Sequence, residues 1–151
     1  MQYEVVNLKE KMVVGLAART NNSSPNMSEV IGALWQDFYS AGCYDKINGR
    51  SNDKALGIYT DYAGNETDDY TVMAACEVEN TDNIPDGVKT MIIPGGKYAK
   101  FVVRGHMVKA VYDFWQKLWQ MDLNRAFVCD FEEYQNADID NAEIHIYISL
   151  K

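Results

Sequence analysis

The segment Cys129-Asp130-Phe131-Glu132-Glu133-Tyr134 places two kinds of side chain in alternation. On an extended strand, residues two apart share a face, so Asp130, Glu132 and Tyr134 point one way and Cys129, Phe131 and Glu133 the other. A carboxylate among aromatic rings lacks the water that would stabilise its charge, and a lipophilic cation beside it gains an ion pair and a cation–π contact together. Desolvation should raise the pKa of such a group. The plainer reading of Glu132 is a rim carboxylate on a solvated sheet face. Further on, Glu143, His145 and Tyr147 alternate with Ile144, Ile146 and Ile148, the isoleucines being the expected core face.

Other chemistries find little support. His106 and His145 share no ligand spacing with each other or with a cysteine, so neither a metal nor a haem is expected, nor any other cofactor. Cys43, Cys76 and Cys129 are odd in number and widely spaced, which fits buried small hydrophobes better than a disulfide framework. Gly95-Gly96 is expected in a hairpin, outside the strand-to-helix context of a phosphate loop. No G-x-S-x-G motif or Cys/His nucleophile pair is present.

The chain of 151 residues carries 14 Lys+Arg against 22 Asp+Glu, a formal net charge of −8, and is 47% hydrophobic. These values describe one globular domain, 1–151. The longest apolar run, Met12 to Ala18, falls short of a membrane span, and the opening residues lack a signal-peptide pattern. A cytoplasmic protein with no membrane partner is expected. An acidic chain without a basic cluster is poorly suited to nucleic acid. Its ten Tyr, five Phe and three Trp suit organic cations or neutral aromatic ligands.

Periodicity predicts strands over Tyr3–Leu8 and Met12–Arg19. A helix follows, capped by Ser28, bearing Met27, Ile31, Leu34, Trp35 and Phe38 on one face and stopped by Gly42. Strands at Ala55–Thr60 and Tyr70–Glu79 come next, then a polar connector at Asn80–Gly87. The same order of elements then returns. Val88–Ile93 and Lys97–Arg104 are strands, and Met107, Val108, Val111, Tyr112, Trp115, Leu118 and Trp119 mark a second helix. Ala126–Tyr134 and Ala142–Leu150 are the last strands.

Val5–Arg19 lies over Thr90–Arg104 without a gap, hydrophobic on hydrophobic, and Leu34, Trp35 and Phe38 lie over Val111, Tyr112 and Trp115. We therefore read an internal repeat, 1–79 and 88–151. The fold class expected is α+β: a duplicated strand-strand-helix-strand-strand unit, with a mainly antiparallel sheet and two long helices, the two halves forming a pseudo-two-fold pair around a central ligand groove. Phe131 is expected on the helix-covered face, leaving Glu132 and Tyr134 to the groove. With Ile58 matched to Phe131, Tyr59 falls opposite Glu132. His145 and Tyr147 would line the groove, and Met73, the first-half counterpart of His145, would form an adaptable wall. Trp35, Phe38, Trp115 and Trp119 read first as core, although Trp35 and Trp115 can expose an edge to the groove.

The run IIPGGKYAKFVVRG (Ile92–Gly105), an aromatic-rich helix, FEEY (Phe131–Tyr134) and AEIHIYISL (Ala142–Leu150) together resemble the gyrase-inhibitor-like (GyrI-like) effector-binding domain family over essentially the whole chain. Ser149 stands where the family often has proline. The resemblance implies two pseudo-symmetric strand-helix-strand-strand modules and a ligand groove, with Glu132 at the position of a glutamate that meets cationic ligands on the floor of an aromatic pocket. Such domains occur as drug-sensing halves of AraC-type and MerR-type bacterial regulators, and also alone. No helix-turn-helix is visible in this chain, so direct DNA binding is not expected.

The leading expectation is a stand-alone binding protein for amphipathic, cationic small molecules, with Glu132 as counter-charge and Tyr59, Tyr134, His145 and Tyr147 as walls. A second is a hydrolase of electrophilic compounds, as some similar proteins are, with Glu132 as general base beside Tyr59 or Tyr134. A third is inhibition of DNA gyrase by protein contact, an acidic surface imitating DNA.

Overall fold

The computed structural model describes residues 1–40, 43–65, 67–82 and 84–151. The elements are β1 (Glu4–Leu8), β2 (Lys11–Thr20), α1 (Met27–Ser40), a one-turn α2 (Cys43–Lys46), β3 (Ala55–Thr60), β4 (Tyr70–Glu77), β5 (Lys89–Ile93), β6 (Gly96–Gly105), α3 (Met107–Leu118), β7 (Cys129–Tyr134) and β8 (Ala142–Ser149). Ser28 lies inside the first turn of α1, and Asn26, whose carbonyl accepts from Val30 N at 3.0 Å, stands at the helix start in its place. The stop expected at Gly42 lies outside the described residues.

The strands form one eight-stranded antiparallel sheet in the order β1-β6-β8-β7-β3-β4-β2-β5. Exchanging β1 with β5, β2 with β6, β3 with β7 and β4 with β8 reverses this order, so a pseudo-two-fold axis runs between β3 and β7. The expected hairpin at Pro94-Gly95-Gly96 does not form. β5 pairs with β2 through Lys11↔Ile93, and β6 pairs with β1 through Leu8↔Gly96. The reason is burial. Val6 and Leu8 of β1 pack in one apolar cluster with Val13 of β2 and Met91 and Ile93 of β5, from opposite ends of the strand order. The sheet curls to bring them together, and two local hairpins would leave that surface in water.

Each helix covers its own half of the other sheet face. Leu34 and Phe38 of α1 pack on Val14, Val72, Ala74 and Cys76; Phe114 and Leu118 of α3 pack on Ala99, Phe101, Ile144, Ile146 and Ile148. A fully buried side chain such as Phe38 contributes about 1.5–3 kcal/mol relative to an exposed one. These buried pairs set Trp35 against Trp115, and Phe38 against Leu118. The sequence overlay, which matched Trp35 with Tyr112, was one helical turn off. Val108 and Tyr112, expected on the packed face of α3, are exposed, and Phe114 takes the core position. β2 and β4 approach closely at Gly15, where a Cβ would strike the Ala74 carbonyl.

All three cysteines are buried. Burial pushes the thiols of Cys76 and Cys129 up to about 11 and about 12, and raises that of Cys43.

Candidate functional site

The two helices lie over the outer parts of their sheet face and leave a furrow above the central strands. Into it point alternate residues of β3 and β7: Ala55, Gly57 and Tyr59 from one, Asp130, Glu132 and Tyr134 from the other, since Gly57 pairs with Glu132, Ala55 with Tyr134 and Tyr59 with Asp130. The register corrects the expected match of Tyr59 opposite Glu132. The pseudo-two-fold passes by the Gly57–Glu132 pair, and Tyr59 and Tyr134 are symmetry counterparts on either side.

Glu132 is only 2% exposed. Its Oε2 accepts from Trp115 Nε1 at 2.7 Å and from the Tyr59 hydroxyl at 3.2 Å, and its Oε1 accepts from the Tyr134 hydroxyl at 2.8 Å. Removal from water raises the carboxyl above its ordinary 4.5, an effect that these three donors oppose without cancelling. The same burial, reinforced by the neighbouring carboxylate, drives the Tyr59 and Tyr134 hydroxyls well above their usual range, so both remain donors.

Above this carboxylate opens a cavity of about 720 Å³. Trp35 meets Tyr134 edge to face at 5.7 Å and stacks on Tyr39 at 6.0 Å, forming one wall. Met107, Val111 and Tyr112 of α3 form the other, and Ile139 closes one end. Trp115 sits edge to face against Tyr59, ring centroids 5.2 Å apart. Trp35 and Trp115 therefore belong to the furrow rather than to the core. Room for the carboxylate comes from Gly57, since a Cβ there would stand 2.9 Å from Glu132 Oε1 and 3.3 Å from Trp35 Cζ2.

Three expected residues lie elsewhere. Phe131 turns away from the helices, and Tyr147 stacks on it at 4.7 Å in the apolar cluster of the opposite face. Met73 is buried in that cluster. His145 shares Tyr147's side of the sheet and pairs with Glu143 at 2.8 Å, holding that carboxyl below 4.5. The physical reason is common to all three: the sheet's second face closes on itself by curling, so the groove lies on the helix side, where Ile144, Ile146 and Ile148 also point. Sequence reasoning assigned Phe131 to the wrong face. It also missed Tyr39 and treated Ile31, Val111 and Tyr112 as core. Their signal was the breadth of the apolar helix faces, which carry a sheet-facing stripe and a furrow-facing one.

No cluster of three or more His, Cys, Asp or Glu among the described residues is placed to hold a metal. His106 instead caps α3, its Nδ1 accepting from Lys109 N at 3.4 Å. No helix among the described residues is long and apolar enough to cross a membrane.

A curled antiparallel sheet with two helices flanking an aromatic furrow defines a GyrI-like effector-binding domain. Residues 4–150 match the model of the integron-associated effector binding proteins, Cass2, and the chain belongs to that family. An integron cassette protein from the mobile metagenome of Vibrio cholerae is 26% identical, with TM-score 0.81 over 99% of this chain and 95% of its own. SAV2435, solved bound to tetraphenylphosphonium, shares the fold at TM-score 0.81 and 20% identity, over 100% of this chain and 94% of its own. A protein described as a bacterial transcription regulator from Staphylococcus aureus shares it at TM-score 0.74 and 21% identity, over 99% of both chains. No curated protein matches the chain.

Proposed function

We propose that the protein binds lipophilic organic cations in the furrow, Glu132 supplying the counter-charge and Trp35, Tyr59, Trp115 and Tyr134 the aromatic surround, and that it acts in the cytoplasm by sensing or sequestering them. The observation that carries this reading is a nearly fully buried carboxylate, hydrogen-bonded by three aromatic residues, at the floor of an apolar cavity. An ion with diffuse charge and aromatic substituents loses little hydration on entering and meets both ring faces and the carboxylate. The family's effector-binding description and the phosphonium held by SAV2435 support the same reading.

The three donors fix the orientation of Glu132 and favour its ionised form, the arrangement of a counter-charge. One Oε1 position stays open, so consumption of candidate electrophiles by the protein is what separates binding from hydrolysis.

The test compares two ions of one shape. Tetraphenylphosphonium and tetraphenylborate differ chiefly in the sign of charge, and tryptophan fluorescence reports entry because Trp35 and Trp115 line the furrow. Saturable quenching by the phosphonium and none by the borate is expected. Equal response to both would remove the counter-charge from the account.

A further inference from the structure

A second hollow, about 330 Å³, lies at the other end of the furrow, bounded by Tyr62, Tyr70, Trp115, Trp119 and Arg125 and sharing Met27, Ile31, Tyr59 and Tyr112 with the first cavity. The pseudo-two-fold relates the two. Tyr59 exchanges with Tyr134 by the strand register, and Trp115 with Trp35 and Trp119 with Tyr39 by the buried helix faces; Met27 and Ile31 exchange with Met107 and Val111 in the same way. The walls are thus equivalent, while the floors differ. In the second hollow the floor carries Arg125, its side chain 6% exposed.

Arg125 is tied by Nη2 to Asp130 Oδ2 at 2.7 Å, and its buried Nε has no hydrogen-bond partner. Asp130 has no capacity left for it. Its Oδ2 also accepts from the Tyr62 hydroxyl at 2.7 Å, and its Oδ1 from Ser149 N at 2.8 Å and Ser149 Oγ at 3.1 Å. Arg125 thus lines an aromatic hollow, its guanidinium resting on the Phe127 ring at 4.3 Å, and keeps an Nε–H that no protein acceptor meets; Nε is closed to water, so a ligand oxygen reaches it through a shift of the Arg125 side chain. A buried donor without an acceptor is unfavourable, so a ligand oxygen that satisfies it is favoured. An anion is poorly suited: Asp130 and Glu132 flank the hollow, and the chain carries a net charge of −8.

We propose that this hollow is a second ligand-binding lobe, which takes a neutral planar aromatic group bearing a hydrogen-bond acceptor, such as a ring carbonyl, and delivers that oxygen to Arg125. The furrow then recognises two chemistries across its axis, a cation at Glu132 and an aromatic acceptor at Arg125, on one molecule or on two.

Equilibrium dialysis with coumarin and with naphthalene, similar in size and differing in the lactone, tests the second lobe independently of the first. Coumarin is expected to be retained at least about tenfold more tightly than naphthalene, the scale of one well-made hydrogen bond to a charged donor. Arg125→Lys keeps the charge beside Asp130 and changes the donor geometry, so it should bring coumarin down to the naphthalene level. Should that variant fail to fold, Gln116→Trp, at a partly exposed wall position, fills the hollow and should abolish coumarin retention with an unchanged Tm. Equal retention of the two probes by the parent protein, or coumarin retention that survives in the folded variants, would overturn the proposal. Phosphonium retention in a parallel cell without coumarin reports the Glu132 lobe separately, so failure of either reading is distinguishable from failure of the other.

Discussion

Gly57 and Glu132 face each other across the β3–β7 ladder at the pseudo-two-fold, one residue without a side chain and one whose carboxylate fills the space this leaves. The axis has room for a single charge. Gly57→Ala places a methyl 2.9 Å from Glu132 Oε1 and 3.3 Å from Trp35 Cζ2. The backbone at this strand position accepts alanine, so the fold should persist while the carboxylate is displaced from its donors. A loss of about tenfold or more in phosphonium affinity, with an unchanged circular dichroism spectrum, is the expected result.

Glu132 also makes the protein respond to pH. Its carboxyl lies above 4.5 in the folded chain, so between 4.5 and that raised value the folded protein holds more protons than the unfolded one. Stability from this group is complete below 4.5 and is lost as pH rises through the raised value. Denaturant titrations of Glu132→Gln and the parent should therefore show a difference that shifts in favour of the variant on going from acid to neutral pH. Cation affinity runs the other way, rising with pH as the carboxylate ionises.

Trp115→Phe keeps a ring in place and removes one donor from Oε2, leaving Tyr59 there alone. The carboxyl should titrate at still higher pH, because a bond that favours its ionised form is gone. Phosphonium binding measured against pH should show its midpoint displaced upward, with a smaller change in affinity well above it.

Asp130→Ala tests the ionic cluster beneath the second lobe. The Arg125–Asp130 pair is buried, with side chains 6% and 0% exposed, so removing the carboxylate leaves the guanidinium uncompensated. A loss of about 3–5 kcal/mol is expected in urea unfolding.

His145→Ala and Tyr147→Phe distinguish the structure from the sequence reading. Both residues lie on the sheet's second face, away from the furrow. Phosphonium affinity should be unchanged in each.

The sequence made most of the architecture legible because strands and helices were set by strong local patterns: the alternation of AEIHIYIS, the apolar stripes of α1 and α3, and the turn-rich segments between them. That Glu132, Tyr134, Tyr59, Trp35 and Trp115 border a furrow could be read from residue type and spacing. Which face they occupied could not, because both faces of this sheet are apolar. One is covered by helices and the other by the curl of the sheet, so Phe131 and Ile146 were equally good core residues and period-two alternation did not choose between them. The exchange of partners at Pro94-Gly95 was hidden for a related reason: strand pairing across the two halves is a long-range choice with no local signature.

If Glu132 is the counter-charge for a bound cation, removing its charge alone must weaken binding. Calorimetric titration of tetraphenylphosphonium into the parent protein and into Glu132→Gln at neutral pH tests it most directly. A one-to-one complex with the parent and a loss of at least about tenfold in the variant are expected. Equal affinity in the two proteins would contradict it.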